Sequence, residues 1–253
     1  MTASNRGEPM QATPRILEVR QGLLKKNDLL AAELRRRFAA AGVYVVNLVS
    51  SPGTGKTLFL ERTLTRLAQE GRRPAALVGD LETDNDAQRL ARSGVPVRQI
   101  NTHGICHLEA DMVAQHLDGW DLAEFEFLFI ENVGNLVCTS SYDLGEQMRV
   151  ALLSVTEGED KPLKYPKLFN TADVAIITKA DLAQACEFDE AAARANIHAV
   201  RPGLPILCVS AKTGAGMAEW LEMLLARRRE WTRTIPATGA DQPRNADAAI
   251  SCY

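Results

Sequence analysis

Apolar residues at Ile16, Leu17, Leu23, Leu24, Leu29, Leu30, Leu34 and Phe38 recur at helical spacing among charges, and predict an amphipathic helix from about Pro14 to Ala40. Beyond it, short continuous apolar runs alternate with longer amphipathic stretches. The pattern predicts strands near 43–49, 75–78, 97–100, 125–130, 150–155, 174–178 and 206–209. Helices are expected from Lys56 and around 84–93, 108–117, 187–198 and 217–228. Continuous apolar strands separated by helices imply an α/β fold, a parallel doubly wound sheet with helices on both faces, here preceded by the N-terminal helix. In such a sheet, ligands sit beyond the carboxyl ends of the strands. Residues 15–231 are expected to form one domain. Residues 1–14 and 232–253 are polar and without periodicity, and are expected to be disordered.

The first strand ends in chemistry. Val45 to Thr57 reads Val-Val-Asn-Leu-Val-Ser-Ser-Pro-Gly-Thr-Gly-Lys-Thr, an apolar run breaking into a glycine turn that opens a helix. This is a P-loop, so the sheet is of the P-loop NTPase kind. Backbone amides of Ser51, Pro52-flanking Gly53, Thr54 and Gly55 can curl around phosphate oxygens, Lys56 can reach the β and γ phosphates, and the Thr57 hydroxyl can hold Mg²⁺. The usual pattern has glycine where this chain has Ser50, which reduces backbone freedom at the point where the strand turns.

A second pair of strand ends points to the base. Asp173 to Thr178 runs into Lys179-Ala180-Asp181, and Ile206 to Val209 runs into Ser210-Ala211-Lys212. A carboxylate at Asp181 can accept from guanine N1–H and its exocyclic amine, a pair that adenine does not offer. The Lys179 stem can cover the base, and the backbone N–H of Ala211 can meet guanine O6. An asparagine usually precedes this lysine, and Thr178 stands there instead. Taken alone, Lys-x-Asp would equally suit a helix N-cap; its place after a P-loop selects guanine.

Composition narrows the class. In 253 residues, 46% hydrophobic content supports a sizeable core, and a net charge of −3 argues against nucleic acid as a partner. No apolar run approaches the roughly 18 residues of a membrane span, and Met1 to Pro14 lacks a signal peptide's apolar core, so a cytoplasmic protein without a membrane partner is expected. Cysteines at 106, 138, 186, 208 and 252 form no short-spaced framework, as reduced thiols would.

Between the nucleotide motifs lie Cys106-His107, after the turn Asn101-Thr-His-Gly104, and Cys138, seven residues beyond Glu131. Adjacent residues in a strand face opposite ways, so a Cys-His pair can share an ion only from a loop or helix start. Thiolate plus imidazole suits Zn²⁺ or Ni²⁺. The same residues also fit a buried thiol beside a chance imidazole. Phe127 to Ile130 is a strand ending in Glu131, with Gly134 three residues on, where P-loop enzymes place an Mg²⁺-linked carboxylate and a γ-phosphate-sensing glycine. A loop that tightens on γ-phosphate would move Cys138.

Asn47 to Thr57, Gly79-Asp-Leu-Glu-Thr-Asp-Asn-Asp-Ala87, Cys106-His107-Leu108, Glu131-Asn-Val-Gly-Asn-Leu-Val-Cys138 and Tyr142-Asp-Leu-Gly145 together resemble the hydrogenase nickel-incorporation GTPases, the HypB family, over roughly Leu17 to Arg229. The resemblance implies a GTPase that dimerises on GTP and, with a nickel accessory protein, loads Ni²⁺ into the large subunit of [NiFe] hydrogenase. It implies that Cys106, His107 and Cys138 bind Zn²⁺ or Ni²⁺ at a homodimer interface, that Asp80 lies near Mg²⁺ and the attacking water, and that Glu131 lies near Mg²⁺. Relatives commonly carry a lysine in the stretch where this chain reads Thr102-His103-Gly104-Ile105, so His103 is either a further metal ligand or a surface histidine. Thr139 stands where relatives commonly have proline.

The absence of a water-positioning glutamine near Glu131 to Gly134, and of an identifiable arginine finger, favours slow hydrolysis with Lys56, Asp80 and Glu131 as the catalytic set. Two other readings stay open. One is a urease or cobalamin-enzyme accessory GTPase of the same fold, although the urease relatives typically read Cys-Pro-His. The other is a nucleotide-gated metal scaffold whose hydrolysis is not essential.

Overall fold

A computed structural model describes residues 14–80 and 85–235; the side chains of 14–21, Asp80 and Asn85 lie outside the described set. Seven strands, β1 (Tyr44–Ser50), β2 (Pro74–Asp80), β3 (Val97–Asn101), β4 (Phe127–Glu131), β5 (Met148–Ser154), β6 (Val174–Thr178) and β7 (Ile206–Cys208), form one sheet in the order β3-β2-β4-β1-β5-β6-β7. Every pairing is parallel. The chain winds outward from central β1 in both directions, so the order reverses beside β1, and a crevice opens at its carboxyl end.

Successive β1 side chains face opposite layers. Val46 and Leu48 pack with Phe59 and Leu64 of α2 (Lys56–Gln69) and Trp220 of α8 (Met217–Thr234). On the other face, Val45 packs with Ala31, Leu34 and Phe38 of α1 (Pro14–Ala41) and Val113 of α4 (Ala110–His116). Val49 continues that face toward Phe169 of α6 (Pro166–Thr171) and Ile197 of α7 (Glu190–Val200). The remaining helices are α3 (Asn85–Ala91) and α5 (Lys161–Lys164). The buried stripe of α1 is Asn27, Ala31, Leu34 and Phe38, at helical spacing, whereas Leu23 and Leu29 are 57% and 74% exposed. The apolar pattern of this helix is thus wider than the face it buries, and one stripe position is polar.

Several boundaries differ from the sequence pattern, β2 ending at Asp80 and β4 beginning at Phe127, each two residues late. Strand β5 begins at Met148, two residues early. The short α5 and α6, each opened by a first-turn proline, are too brief for periodicity to reveal. Helix α8 runs through Thr234, three residues into the stretch expected to be disordered. Its last turn is held because the Thr232 and Thr234 hydroxyls donate to the Arg228 and Trp231 carbonyls, and Trp231 meets Tyr44 edge-on at 5.4 Å. The segments 1–13 and 236–253, including Cys252, lie outside the described residues.

Gly145 shows how closely α1 is seated. Its φ is 80°, and a Cβ there would lie 2.8 Å from the Ala31 carbonyl oxygen and 2.9 Å from Leu34 Cβ. Gly145→Ala is expected to combine left-handed strain with overpacking against helix backbone and to destabilise by roughly 2–4 kcal/mol. Thermal unfolding checks this, with a fall in Tm of about 2–4 °C per kcal/mol for a domain of this size; an unchanged Tm would mean that α1 is not packed there.

Candidate functional site

The P-loop leaves the carboxyl end of β1 and closes on the first turn of α2. Gly53 and Gly55 have φ of 72° and 96°, backbone that glycine adopts without strain. Gly55 caps α2, so the free amides of its first turn and its positive dipole end face the loop. The turn is braced from inside, the Ser51 carbonyl accepting from Ser50 Oγ at 2.7 Å and Thr54 Oγ1 at 2.9 Å. Ser50, in place of glycine, has its own use: its hydroxyl accepts from Lys56 Nζ at 3.0 Å, holding a lysine only 8% exposed.

Thr57 Oγ1 donates to Glu131 Oε1 at 2.7 Å, and both line a cavity of about 390 Å³ together with Pro52, Gly53, Gly79 and Gly134. A hydroxyl and a carboxylate side by side are hard oxygen donors, the set that Mg²⁺ prefers. Asp80 ends β2 beside Gly79, with its side chain outside the described set. A Cβ on Gly134 would fall 2.9 Å from Pro52 Cα, so the loop after β4 lies directly on the P-loop. Arg89 of α3 also lines the cavity, paired with Glu61 at 2.9 Å. The sequence reading did not single it out, since only the folding of α3 brings this cation to the phosphate side.

A second cleft, of about 210 Å³, opens between the P-loop and the ends of β6 and β7, lined by Gly55, Lys179, Asp181, Ala211 and Lys212 among others. Lys179 sits at φ 57°, its Nζ donating to the Gly53 carbonyl at 2.7 Å, so its stem spans the loop. The Thr178 hydroxyl, where asparagine is usual, donates to the Thr54 carbonyl at 2.8 Å. Asp181 is exposed at the cleft and accepts from the hydroxyl of buried Ser210 at 2.6 Å, which orients its carboxylate.

The structure brings Cys106, His107 and Cys138 together. Their ligand atoms lie within 4.8 Å of one another, with Cys106 Sγ 2.9 Å from Cys138 Sγ and 3.8 Å from His107 Nδ1. All three are partly buried. Two thiolates on one tetrahedral ion stand about 3.7 Å apart given metal–sulfur bonds of about 2.3 Å, so a small opening of the pair admits the ion. His107 Nε2 faces Glu109 Oε1 at 3.3 Å, which leaves Nδ1 as the nitrogen toward the sulfurs. Burial lowers the His107 pKa, with Glu109 pulling the other way, and the neutral ring is the form that binds metal. His103 is not in this group; its backbone, at φ 50°, belongs to a turn in which its N–H donates to Asn101 Oδ1 at 2.8 Å.

Residues to which the sequence reading gave no part in the metal site support this cluster. Asn135 Oδ1 accepts from the backbone N–H of Val137 and of Cys138, at 2.8 and 2.9 Å. Thr139 donates to the Asn135 carbonyl, a bond proline could not make. The Tyr142 ring stacks on His107 with centroids 3.9 Å apart. Asn132, the residue after Glu131, accepts from the Leu108 N–H at 3.1 Å, so the loop beside the phosphate cavity holds the residue next to His107. Asn132 also donates to Asn47 at 3.4 Å, Asn47 to Glu146 at 3.2 Å, and Glu146 pairs with buried Arg149 at 2.5 Å. Arg149 in turn donates to the Tyr142 carbonyl at 2.9 Å. Asx turns and buried amides have a signal in the sequence only as isolated asparagines.

With this geometry established, comparison with known proteins is specific. Residues 44–208 match the family "CobW/HypB/UreG, nucleotide-binding domain". The hydrogenase maturation factor HypB of Azotobacter vinelandii is 50% identical over 243 residues, spanning 96% of this chain and 80% of that protein. The crystal structure of HypB from Helicobacter pylori in complex with nickel is 41% identical with a TM-score of 0.77, covering 84% of this chain and all of that one. HypB from Archaeoglobus fulgidus is 36% identical with a TM-score of 0.75, covering 81% of this chain and 99% of the other. A family match over residues 44–208 and relatives of 36–50% identity over most of their length place the chain in the HypB branch of the CobW/HypB/UreG family of nucleotide-binding proteins.

Proposed function

We propose that the protein is a GTP-hydrolysing nickel chaperone for [NiFe] hydrogenase maturation. The observation that carries this reading is that both halves of the Cys106–His107–Cys138 cluster attach to the loop following Glu131: Cys138 through the chain itself, and His107 through the Asn132–Leu108 bond. GTP binds with its phosphates on Ser51 to Thr57 and its guanine between Lys179, Asp181 and the Ser210-Ala211-Lys212 turn. Thr57, Asp80 and Glu131 would hold Mg²⁺, which would supply charge neutralisation at the phosphates. Lys56 adds positive charge over the transferred group, and hydrolysis is slow because no water-positioning glutamine stands near Glu131 to Gly134.

Three ligands from one chain leave a coordination position open, which a second copy can fill across a GTP-dependent homodimer interface. Ni²⁺ is the cargo, with Zn²⁺ able to use the same thiolates and imidazole. The chain would receive or pass nickel through an accessory protein and deliver it to the hydrogenase large subunit, in the cytoplasm. Among the described residues no helix is long and apolar enough to cross a membrane.

Calorimetric titration of Ni²⁺ with GDP and with a non-hydrolysable GTP analogue tests the reading. The two affinities should differ by roughly 5–150-fold, and linkage requires the metal to shift analogue affinity by the same factor. Cys138→Ala should lower both metal binding and the coupling while leaving nucleotide binding intact. Identical metal affinity in the two nucleotide states, or unchanged stoichiometry in Cys138→Ala, would overturn it.

A further inference from the structure

None of the described side chains of α1 lines the nucleotide clefts, yet its buried stripe carries a polar residue. Asn27 is 4% exposed, in line with Ala31, Leu34 and Phe38, where an apolar side chain would satisfy packing alone. Its amide is bonded at both ends. Nδ2 donates to the Asp143 carbonyl at 2.8 Å, and Oδ1 accepts from the Ala110 N–H at 2.9 Å. These two backbone groups belong to different metal-bearing loops. Asp143 follows Tyr142, whose ring stacks on His107, on the segment that begins at Cys138. Ala110 opens α4 three residues beyond His107.

We propose that Asn27 is a positioning residue of the metal site, a clamp from α1 that holds the Cys106–His107 loop and the Cys138–Asp143 loop in register. The reasoning is geometric. The two loops meet at the paired sulfurs and at the His107–Tyr142 stack, and the sulfurs, 2.9 Å apart, must part to admit an ion. A tie made through those contacts would be broken by loading, whereas one made by a third element, at backbone points outside the ligand atoms, survives it. Gly145, seated on the α1 backbone, and Arg35, whose Nη2 lies 2.7 Å from both Asp143 carboxylate oxygens, fix the helix against the second loop. Asn27 alone, among the described side chains of α1, bonds to both loops. Outer groups of this kind set metal affinity by 10–100-fold.

The proposal rests on the nickel reading of Cys106, His107 and Cys138, and the test separates the two. Ni²⁺ affinity is measured by chelator competition, and the thiolate-to-nickel charge-transfer absorption is recorded, for the full-length wild type, Asn27→Leu, Asn27→Asp and Leu34→Ala. GDP affinity and Tm are followed in each. Asn27→Leu keeps the branched shape and heavy-atom count and removes both bonds. It should bind Ni²⁺ roughly 10–100-fold more weakly, with altered charge-transfer intensity and wild-type GDP affinity. Asn27→Asp can accept from Ala110 but not donate to Asp143, and should fall between. Leu34→Ala loosens α1 without touching either bond, and should lower Tm while leaving the nickel spectrum unchanged. If Asn27→Leu does not fold, the comparison of Asn27→Asp with Leu34→Ala carries the test. Wild-type nickel affinity and spectrum in Asn27→Leu, or equal nickel losses in the aspartate variant and Leu34→Ala, would overturn the clamp. Absence of the thiolate band in the wild type itself would instead overturn the nickel reading.

Discussion

Replacing Lys56 by alanine should reduce GTP affinity by roughly 100-fold or more and hydrolysis by a further roughly 10²–10³-fold. The ammonium group is held 3.0 Å from Ser50 Oγ and is nearly buried, so its charge faces the phosphate site with little screening by water. It would meet the β and γ phosphates in the ground state and the developing charge in the transition state, so both binding and turnover depend on it. The fold should survive, since Lys56 opens α2 and alanine is the strongest helix former. Titration with a non-hydrolysable analogue and single-turnover phosphate release measure the two parts. Wild-type turnover in the variant would remove Lys56 from the site.

Asp181→Asn should weaken GTP by about 2–4 kcal/mol, roughly 30- to 700-fold, while improving xanthosine triphosphate, whose C2 carbonyl can accept from the new amide. In this structure the carboxylate is exposed and oriented by Ser210 Oγ at 2.6 Å; a bound guanine covers it, so the mismatch is felt in the complex. Paired titrations with the two nucleotides check the exchange. Equal GTP binding by variant and wild type would place the base elsewhere. The Ser210 bond adds a corollary absent from the sequence reading: the hydroxyl fixes the direction in which Asp181 presents its oxygens, so on the proposed reading a serine of the Ser-Ala-Lys turn would also bear on base recognition.

Much of the nucleotide site is written in contiguous residues. A P-loop needs a strand, a glycine turn and a helix in unbroken order, and each is specified by local chain chemistry, so Ser50 to Thr57 could be recognised before any contact was known. The strand ends at Thr178 and Cys208 are equally local, and the parallel sheet follows from the alternation of buried runs with helices. The limits of local reading show at α1, where apolar Leu23 and Leu29 lie in solvent while Asn27 is buried. They show again at α8, whose last turn is held by hydroxyl bonds to its own preceding turn and by a tryptophan packed on distant Tyr44.

By itself the sequence determined the fold class and the nucleotide-binding motifs, because these depend on residue type and on short spacing along one chain, and through the family resemblance it offered Cys106, His107 and Cys138, with His103 as a further candidate, as metal ligands. Only the tertiary structure decided that Cys106 and Cys138, 32 residues apart, meet at 2.9 Å, and that His103 stays outside their cluster. It alone made Asn132 a link from the Glu131 loop to Leu108, and Asn27 a bridge between Ala110 and Asp143 across 83 and 116 residues. The reason is physical: an amide side chain carries the same donor and acceptor wherever it stands, and what it does is fixed by which backbone groups the fold buries beside it and leaves in need of a partner.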